Sequence, residues 1–398
     1  MTRKIILILC SVFIFFGCTL QPEKPNIIFI YVDDMGLGDA SFTGNQLILT
    51  PNIDNLAANG KIFTQYYSNA PVCSPSRVAV TTGMYPLRWN INTFLSGKQH
   101  NKICDQSDFL NPEAPSLAKT LKSAGYSTAH FGKWHMGGGR DVKDAPSISE
   151  YGFDEFSSTW ESPNPDPLLT SSNWIWSPTD SIKRWDRTEY FVEKTLDFLK
   201  RNKNKPCYVN LWPDDVHSPW IASEQYLHGK RNPAYFSMEY LKPVIEVFDK
   251  DIGILINGLK ELNLEKNTLI IFTSDNGPAP SFDYSRTNGL RGTKNSLYEG
   301  GINMPFIVCW SGRIEAGQID DESIVSAIDL FPTLCKISGT EMDEEFKFDG
   351  IDISSSFLSN KKVKKQRKIF WEYGRINAKF SIPKDALDRS PELAVRYG

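Results

Sequence analysis

Two groups of side chains in this chain have types and spacing that suit chemistry. Asp33-Asp34 and Asp275-Asn276 offer only oxygen ligands, each pair ending an apolar run, from positions far apart in the sequence. Hard oxygen donors without His or Cys select calcium or magnesium rather than zinc. Carboxylates converging without compensation repel strongly, so a bound cation is the natural resolution. The second group is Cys73-Ser74-Pro75-Ser76-Arg77, followed by Val78-Ala79-Val80-Thr81-Thr82-Gly83. Pro75 suits the first turn of a helix, where its missing N–H costs nothing. Residues 76–82 then read as that helix, with Cys73 at its N-terminus, where unpaired N–H groups and the helix dipole favour an anion. Taken singly, the same fragments also read as ordinary structure: a buried cysteine beside a turn proline, an Asp-Asp cap, an Asp-Asn-Gly turn.

The elements that must carry these groups follow one plan, an apolar run and then a polar cluster. Asn26–Val32 leads into Asp33-Asp34, and Thr128–Phe131 into Gly132-Lys133-Trp134-His135. Cys207–Trp212 leads into Asp214, Asp215 and His217, and Thr268–Thr273 into Ser274-Asp275-Asn276-Gly277. Near-continuous β-branched and aromatic runs of this length predict strands buried on both faces. Helical patterns lie between them at Pro115–Ala124, closed by Gly125, at Glu189–Arg201 and at Met238–Leu262. The alternation predicts an α/β fold, a large and mostly parallel sheet with helices on both faces. Ligands in such sheets bind beyond the carboxyl ends of the strands, which puts all four polar clusters on one rim. Pro163–Pro178 reads as a long surface loop, and the basic run Lys361–Lys368 as a solvated connector.

With 398 residues, 40% of them hydrophobic and 12% aromatic, the chain can bury a large core. A net charge of −3 argues against a general nucleic-acid binder, though a local cationic pocket can still hold an anion. Arg3-Lys4 precede a short apolar run, Ile5 to Phe16, that reads as an export segment. It ends in Phe15-Phe16-Gly17-Cys18, which resembles a bacterial lipoprotein processing site. On that reading Cys18 carries a lipid anchor, the chain's one tie to a membrane, and the protein works in the periplasm or at the cell surface. A cleaved signal or a short anchor is the alternative. Of the remaining cysteines, Cys73, Cys104, Cys207, Cys309 and Cys335, none has metal-binding spacing, and a disulfide at Cys104 stays open.

Cys-x-Pro-x-Arg, leading into small residues and Thr-Gly, resembles the signature of the type I sulfatases, the formylglycine-dependent, arylsulfatase-like branch of the alkaline phosphatase superfamily. The resemblance runs from about Asn26 to Asp352 and takes in Pro51–Ala57, Asn303-Met304-Pro305-Phe306 and Ser326–Leu334, where Ser326 and Asp329 form a helix-starting cap. It implies that a formylglycine-generating or anaerobic sulfatase-maturating enzyme oxidises Cys73 to formylglycine. It further implies one calcium ion, with magnesium as an alternative, on Asp33, Asp34, Asp275, Asn276 and residue 73. Arg77 would orient the formylglycine hydrate, and Lys133 and His135 would flank it. His217 and Lys294 would serve the sulfate and the leaving oxygen. Of five histidines, His100, His130 and His228 match no such block and read as structural.

The implied reaction is hydrolysis of a sulfate ester. One hydroxyl of the hydrate attacks sulfur, and His135 takes the proton of the second as sulfate departs. Trp160, Trp174 and Trp176 suit sugar stacking and hence a sulfated glycan fragment, with loops 86–112 and 155–187 deciding which one. Phosphonate and phosphate ester hydrolases of the same superfamily share the rim and nucleophile position; the Lys and His set favours a monoanionic sulfate ester. A surface glycan-binding lipoprotein without turnover would need a degenerate site. The expected organisation is a processing segment at 1–18, a catalytic domain at 19–365 and the start of a smaller C-terminal subdomain at 366–398. Relatives usually continue further, so the chain is expected to lack part of that subdomain.

Overall fold

In the apolar run Asn26–Val32 (β1), successive side chains point to opposite faces of a strand. Ile27, Phe29 and Tyr31 enter one core, while Ile28, Ile30 and Val32 enter another, and all six are buried. A strand covered on both faces is the signature of a parallel sheet inside an α/β domain. The computed structural model describes residues 24–138, 142–172, 175–223, 237–363, 366–374 and 383–398. The export segment, Cys18, Trp174 and His228 lie outside the described residues.

The main sheet adds Lys61–Phe63 (β2), Ser127–Gly132 (β4), Glu155–Ser158 (β5), Cys207–Trp212 (β6), Thr268–Ser274 (β7), Phe306–Cys309 (β8) and Gln318–Asp320 (β9). Its eight strands run in the order β5-β4-β6-β1-β7-β8-β2-β9. The stretch from β5 to β7 is wholly parallel, and β8 alone runs against both neighbours. Tyr66–Tyr67 (β3) pairs separately with Val325–Ser326 (β10). Helices Pro51–Ala58, Arg187–Arg201 and Met238–Glu261 bury their apolar faces on one side of the sheet. Helices Cys73–Thr82, Leu117–Ser123 and Leu330–Ser338 cover the other. The last follows a capping box in which Ser326 and Asp329 satisfy each other's backbone N–H groups.

Lys368–Glu372 (β11) and Leu393–Tyr397 (β12) form an antiparallel hairpin outside the main sheet. Ile369, Trp371 and Tyr373 pack with Tyr67, Val72, Cys73 and Leu297, so the hairpin closes a third core cluster against the start of the Cys73 helix. The basic connector is more than a solvated stretch: Arg367 holds Asp329 through two bonds of 2.5 and 2.9 Å. Cys73, Cys104, Cys207, Cys309 and Cys335 are all unbridged and buried. None of the described helices is long and apolar enough to cross a membrane.

Candidate active site

The register of β1 on β7 sets Val32 opposite Ser274, so Asp33-Asp34 and Asp275-Asn276 leave neighbouring parallel strands side by side. Asp275 N–H donates to Val32 O at 3.1 Å, and Asp34 N–H to Asp275 Oδ1 at 3.1 Å. Asp34 takes a left-handed φ of 60°, a conformation that costs a non-glycine residue about 1 kcal/mol or more. Arg286 holds it there, donating to Asp34 O at 3.0 Å while paired with buried Asp39 at 2.7 Å.

Cys73 is the first residue of the Cys73–Thr82 helix, all of whose residues are buried, and Gly83 ends it in the left-handed conformation. Four residues on, and so on the same helix face, stands Arg77. Its guanidinium reaches Asp275 Oδ2 at 2.7 Å, Asp33 Oδ1 at 3.2 Å and Lys133 O at 2.8 Å, over the rings of Tyr31 and Trp212. Lys133 comes from the end of β4, where Gly132 has φ 121° and no room for a side chain: a Cβ there would lie 2.0 Å from Trp212 O. This close passage aims Lys133 Nζ at Asp33 Oδ2, 2.7 Å away, and at Cys73 Sγ, 3.7 Å away.

Lys294 Nζ lies 2.6 and 2.7 Å from the two oxygens of Asp34, and His217 Nε2 lies 3.7 Å from Asp34 Oδ2. These two residues are half-buried, whereas the other charged members are fully covered. One ligand atom each from Asp34, Cys73 and His217 falls within a 4.8 Å span, as does one each from Asp33, Cys73 and Asp275. His217 Nδ1 sits 2.6 Å from Ser218 O. A carbonyl only accepts, so Nδ1 carries the hydrogen and Nε2 faces the acids. His135 is joined less directly. Its Nε2 is 3.1 Å from Leu95 O, and Leu95 N–H donates to Ser74 Oγ at 2.9 Å, tying the ring to the helix start through one loop residue.

Electrostatics follow from burial and these pairings. Burial alone would raise Asp33, yet Lys133, His217 and Arg77 together hold it well below the usual carboxylate range. Lys294 and His217 likewise outweigh burial at Asp34. Asp275 is pushed up to about 7, by burial first and by Asp33 next, against the pull of Arg77. Burial raises the Cys73 thiol to about 12 despite Lys133 and Lys294, so near neutral pH it is a protonated thiol and a poor nucleophile. His217 is lowered, by burial and then by Lys294.

This arrangement corrects one expectation from sequence. The three acids do not converge uncompensated, because Arg77, Lys133 and Lys294 stand against Asp33, Asp34 and Asp275. Repulsion alone therefore does not demand a metal. The donor set still fits a hard cation. Asn276 Nδ2 donates to Asp34 Oδ1 at 2.7 Å and to Gly277 O at 2.9 Å, while its buried Oδ1 has no hydrogen-bond partner among the described residues. A lone buried amide oxygen among carboxylates is what an oxygen-liganded calcium or magnesium would use.

The Sulfatase family model matches residues 25–340. This chain belongs to the sulfatase family. It is similar to N-acetylgalactosamine-6-sulfatase of Sus scrofa, 30% identical over 386 residues that cover 90% of this chain and 70% of that protein. N-acetylgalactosamine-6-O-sulfatase of Bacteroides thetaiotaomicron is also 30% identical, over 81% of this chain and 74% of its own. Among solved structures, Ps i-CgsB in complex with k-i-k-neocarrahexaose superposes with a TM-score of 0.71 at 27% identity, covering 89% of this chain and 80% of that one. The sulfatase is thus a sulfuric ester hydrolase on an alkaline-phosphatase-like fold.

Some groups that hold this sulfatase's site have no local mark in the sequence. Arg286 and Arg184 sit in single 3-10 turns, Ser285–Thr287 and Arg184–Asp186, and besides one carboxylate each they act on backbone carbonyls, which no residue pattern encodes. His130 is core: buried among Trp134, Phe153 and Trp212, with a pKa lowered to about 3 by burial.

Proposed function

We propose that this sulfatase removes sulfate from sulfated glycan fragments, through formylglycine at position 73 and a bound calcium ion. The observation that carries the reading is the setting of Cys73. It is a buried, protonated thiol at a helix N-terminus, 3.7 Å from Lys133 and within reach of the Asp33, Asp34 and Asp275 carboxylates. Burial keeps the sulfur protonated against the pull of Lys133 and Lys294, and the cationic pocket at a helix N-terminus suits a group that must meet an anionic ester. Two relatives named as N-acetylgalactosamine-6-sulfatases and a similar structure in complex with k-i-k-neocarrahexaose support a carbohydrate substrate. Half-buried Trp160 and Trp176 suit stacking on sugar rings. An exported, lipid-anchored setting at Cys18 belongs to the same reading.

As a hydrated aldehyde, residue 73 supplies two hydroxyls, one to bond sulfur and one whose proton, once removed, expels sulfate. Calcium held by Asp33, Asp34, Asp275 and Asn276 would supply Lewis-acid polarisation of a sulfate oxygen. The chain's own residues do the rest. Arg77 and Lys133 hold the acids and residue 73 in one geometry, and they exclude water from the closed side. Lys294 and His217, at the open side, meet the ester; with Nδ1–H fixed on Ser218 O, a second proton taken up at His217 Nε2 is the one that goes to the leaving oxygen. His135, whose Nε2 hydrogen faces Leu95 O, accepts its proton at Nδ1.

The test is free sulfate released from a panel of sulfated mono- and disaccharides, by protein whose formylglycine content is verified by peptide mass. Matched phosphate esters, a chelated sample and Cys73→Ser run alongside. Release from one sulfated sugar is expected, lost in Cys73→Ser, lost on chelation and restored by calcium. Converted protein that cleaves only the phosphate esters would overturn the reading.

A further inference from the structure

We propose that Arg184 is the positioning residue for His217, holding the general acid's loop from beneath; the inference rests on the role just given to His217. The loop Asp214–Pro219 lies past the end of β6, so no sheet ladder holds it. Its own backbone closes one turn, His217 N–H to Asp214 O at 3.1 Å. The buried guanidinium of Arg184 fills the inside of that turn. Nη2 donates to Asp214 O and to His217 O, both at 2.8 Å, Nε to Pro219 O at 3.1 Å, and Nη1 to Asp214 Oδ2 at 2.7 Å. Three carbonyls from one short loop thus converge on one planar, rigid fork, which fixes their relative positions as a lysine could not.

The fork is itself locked. Asp214 Oδ2 also accepts from Arg187 Nη1 at 2.9 Å, and Arg187 Nη2 reaches Leu169 O at 3.1 Å and Ile175 O at 2.7 Å. A buried Arg–Asp–Arg unit therefore joins the His217 loop to the segment that carries Leu169 and Ile175. Removing Arg184 takes a donor from each of the Asp214, His217 and Pro219 carbonyls and frees the loop, while Cys73, Lys133 and Lys294 keep all their partners. The expected defect is confined to the step His217 serves.

The experiment compares Arg184→Gln, Arg184→Lys and His217→Ala with the parent protein, all with verified formylglycine. kcat and KM are measured on sulfate esters ordered by leaving-group basicity, from nitrophenyl to phenyl to sugar sulfate. General acid catalysis matters most for the poorest leaving group, and displacement of about 1 Å costs on the order of 100-fold. Arg184→Gln should lose roughly 10- to 100-fold in kcat on sugar sulfate and under about threefold on the nitrophenyl ester, with KM little changed. Arg184→Lys, which keeps the charge beside Asp214, should show the same selectivity at smaller amplitude and covers the case in which Arg184→Gln fails to fold. If His217→Ala shows the steep dependence and the Arg184 variants lose activity evenly or not at all, the inference falls and the role of His217 stands. A flat response in His217→Ala, or a parent protein that releases sulfate from no ester, overturns both.

Discussion

At the scale of single residues, Asp33 and Asp34 on one hand and Asp251 on the other show two outcomes for a buried acid. Asp33 and Asp34 are ion-paired and lowered, whereas Asp251, on the Met238–Glu261 helix, is wholly buried with no hydrogen-bond partner for either oxygen among the described residues. Burial first, and then Asp215, push it up to about 8 from an ordinary 3.8. A carboxyl raised in the folded state binds its proton more tightly there than in the unfolded chain. Its contribution to stability is therefore present at low pH and falls as pH rises from about 4 to about 8. Asp251→Asn keeps the shape and removes the titration. The variant should match the parent's Tm near pH 5 less closely as pH rises, exceeding it at pH 8 by about 2 kcal/mol or more of stability. An equal difference between the two proteins at both pH values would sink this account.

At the scale of elements, the chemistry depends on how strand ends pass one another. β4 and β6 pair as far as Gly132 opposite Trp212, and Lys133 N–H then donates to Trp212 O at 2.8 Å. That approach needs both a φ of 121° and the absence of a Cβ at position 132. Gly132→Ala meets backbone rather than a pliable side chain, so the strand end must move and carry Lys133 away from Asp33 and residue 73. A loss of about 3 kcal/mol or more is expected, with a fall in sulfate release beyond what the lowered Tm explains. Thermal unfolding and activity below the transition measure the two effects separately; a variant with parental values of both would refute the close passage.

At the scale of the whole molecule, the C-terminal hairpin packs against the start of the Cys73 helix and so borders the candidate active site. Trp371 is buried against Tyr67, and its Nε1 donates to Ser68 O at 2.7 Å. Tyr373 Oη donates to Asn295 Oδ1 at 2.7 Å, one residue from Lys294, and Ser390 Oγ accepts from Leu297 N–H at 2.8 Å. The segment around Lys294 is thus clamped by residues from the far end of the chain. Trp371→Ala removes a large buried ring and should cost about 3–5 kcal/mol. It should also lower kcat/KM for sulfate esters at temperatures where the variant is still folded, while Trp371→Phe restores most of the apolar burial and much of the activity. Normal kcat/KM in folded Trp371→Ala would show that the hairpin stabilises the fold without shaping the site.

Much of this was legible in the chain before folding. Runs such as Asn26–Val32 and Thr268–Ser274 have one stable use, a strand covered on both faces, and the polar residues that end them must then share a rim. Pro75 and the small residues after it similarly place Cys73 at a helix start. The partners were not legible, because the strand order β5-β4-β6-β1-β7-β8-β2-β9 is not the chain order. Only that order sets Lys133 on Asp33, Lys294 on Asp34 and Arg77 between Asp33 and Asp275, and so replaces three repelling acids by three compensated ones. Arg184 and Arg286 lay further out of reach. Each pairs with one carboxylate, Asp214 or Asp39, but its remaining bonds go to backbone carbonyls, which every residue carries, so side-chain identity shows where those act only once the tertiary structure has brought particular carbonyls before the arginine.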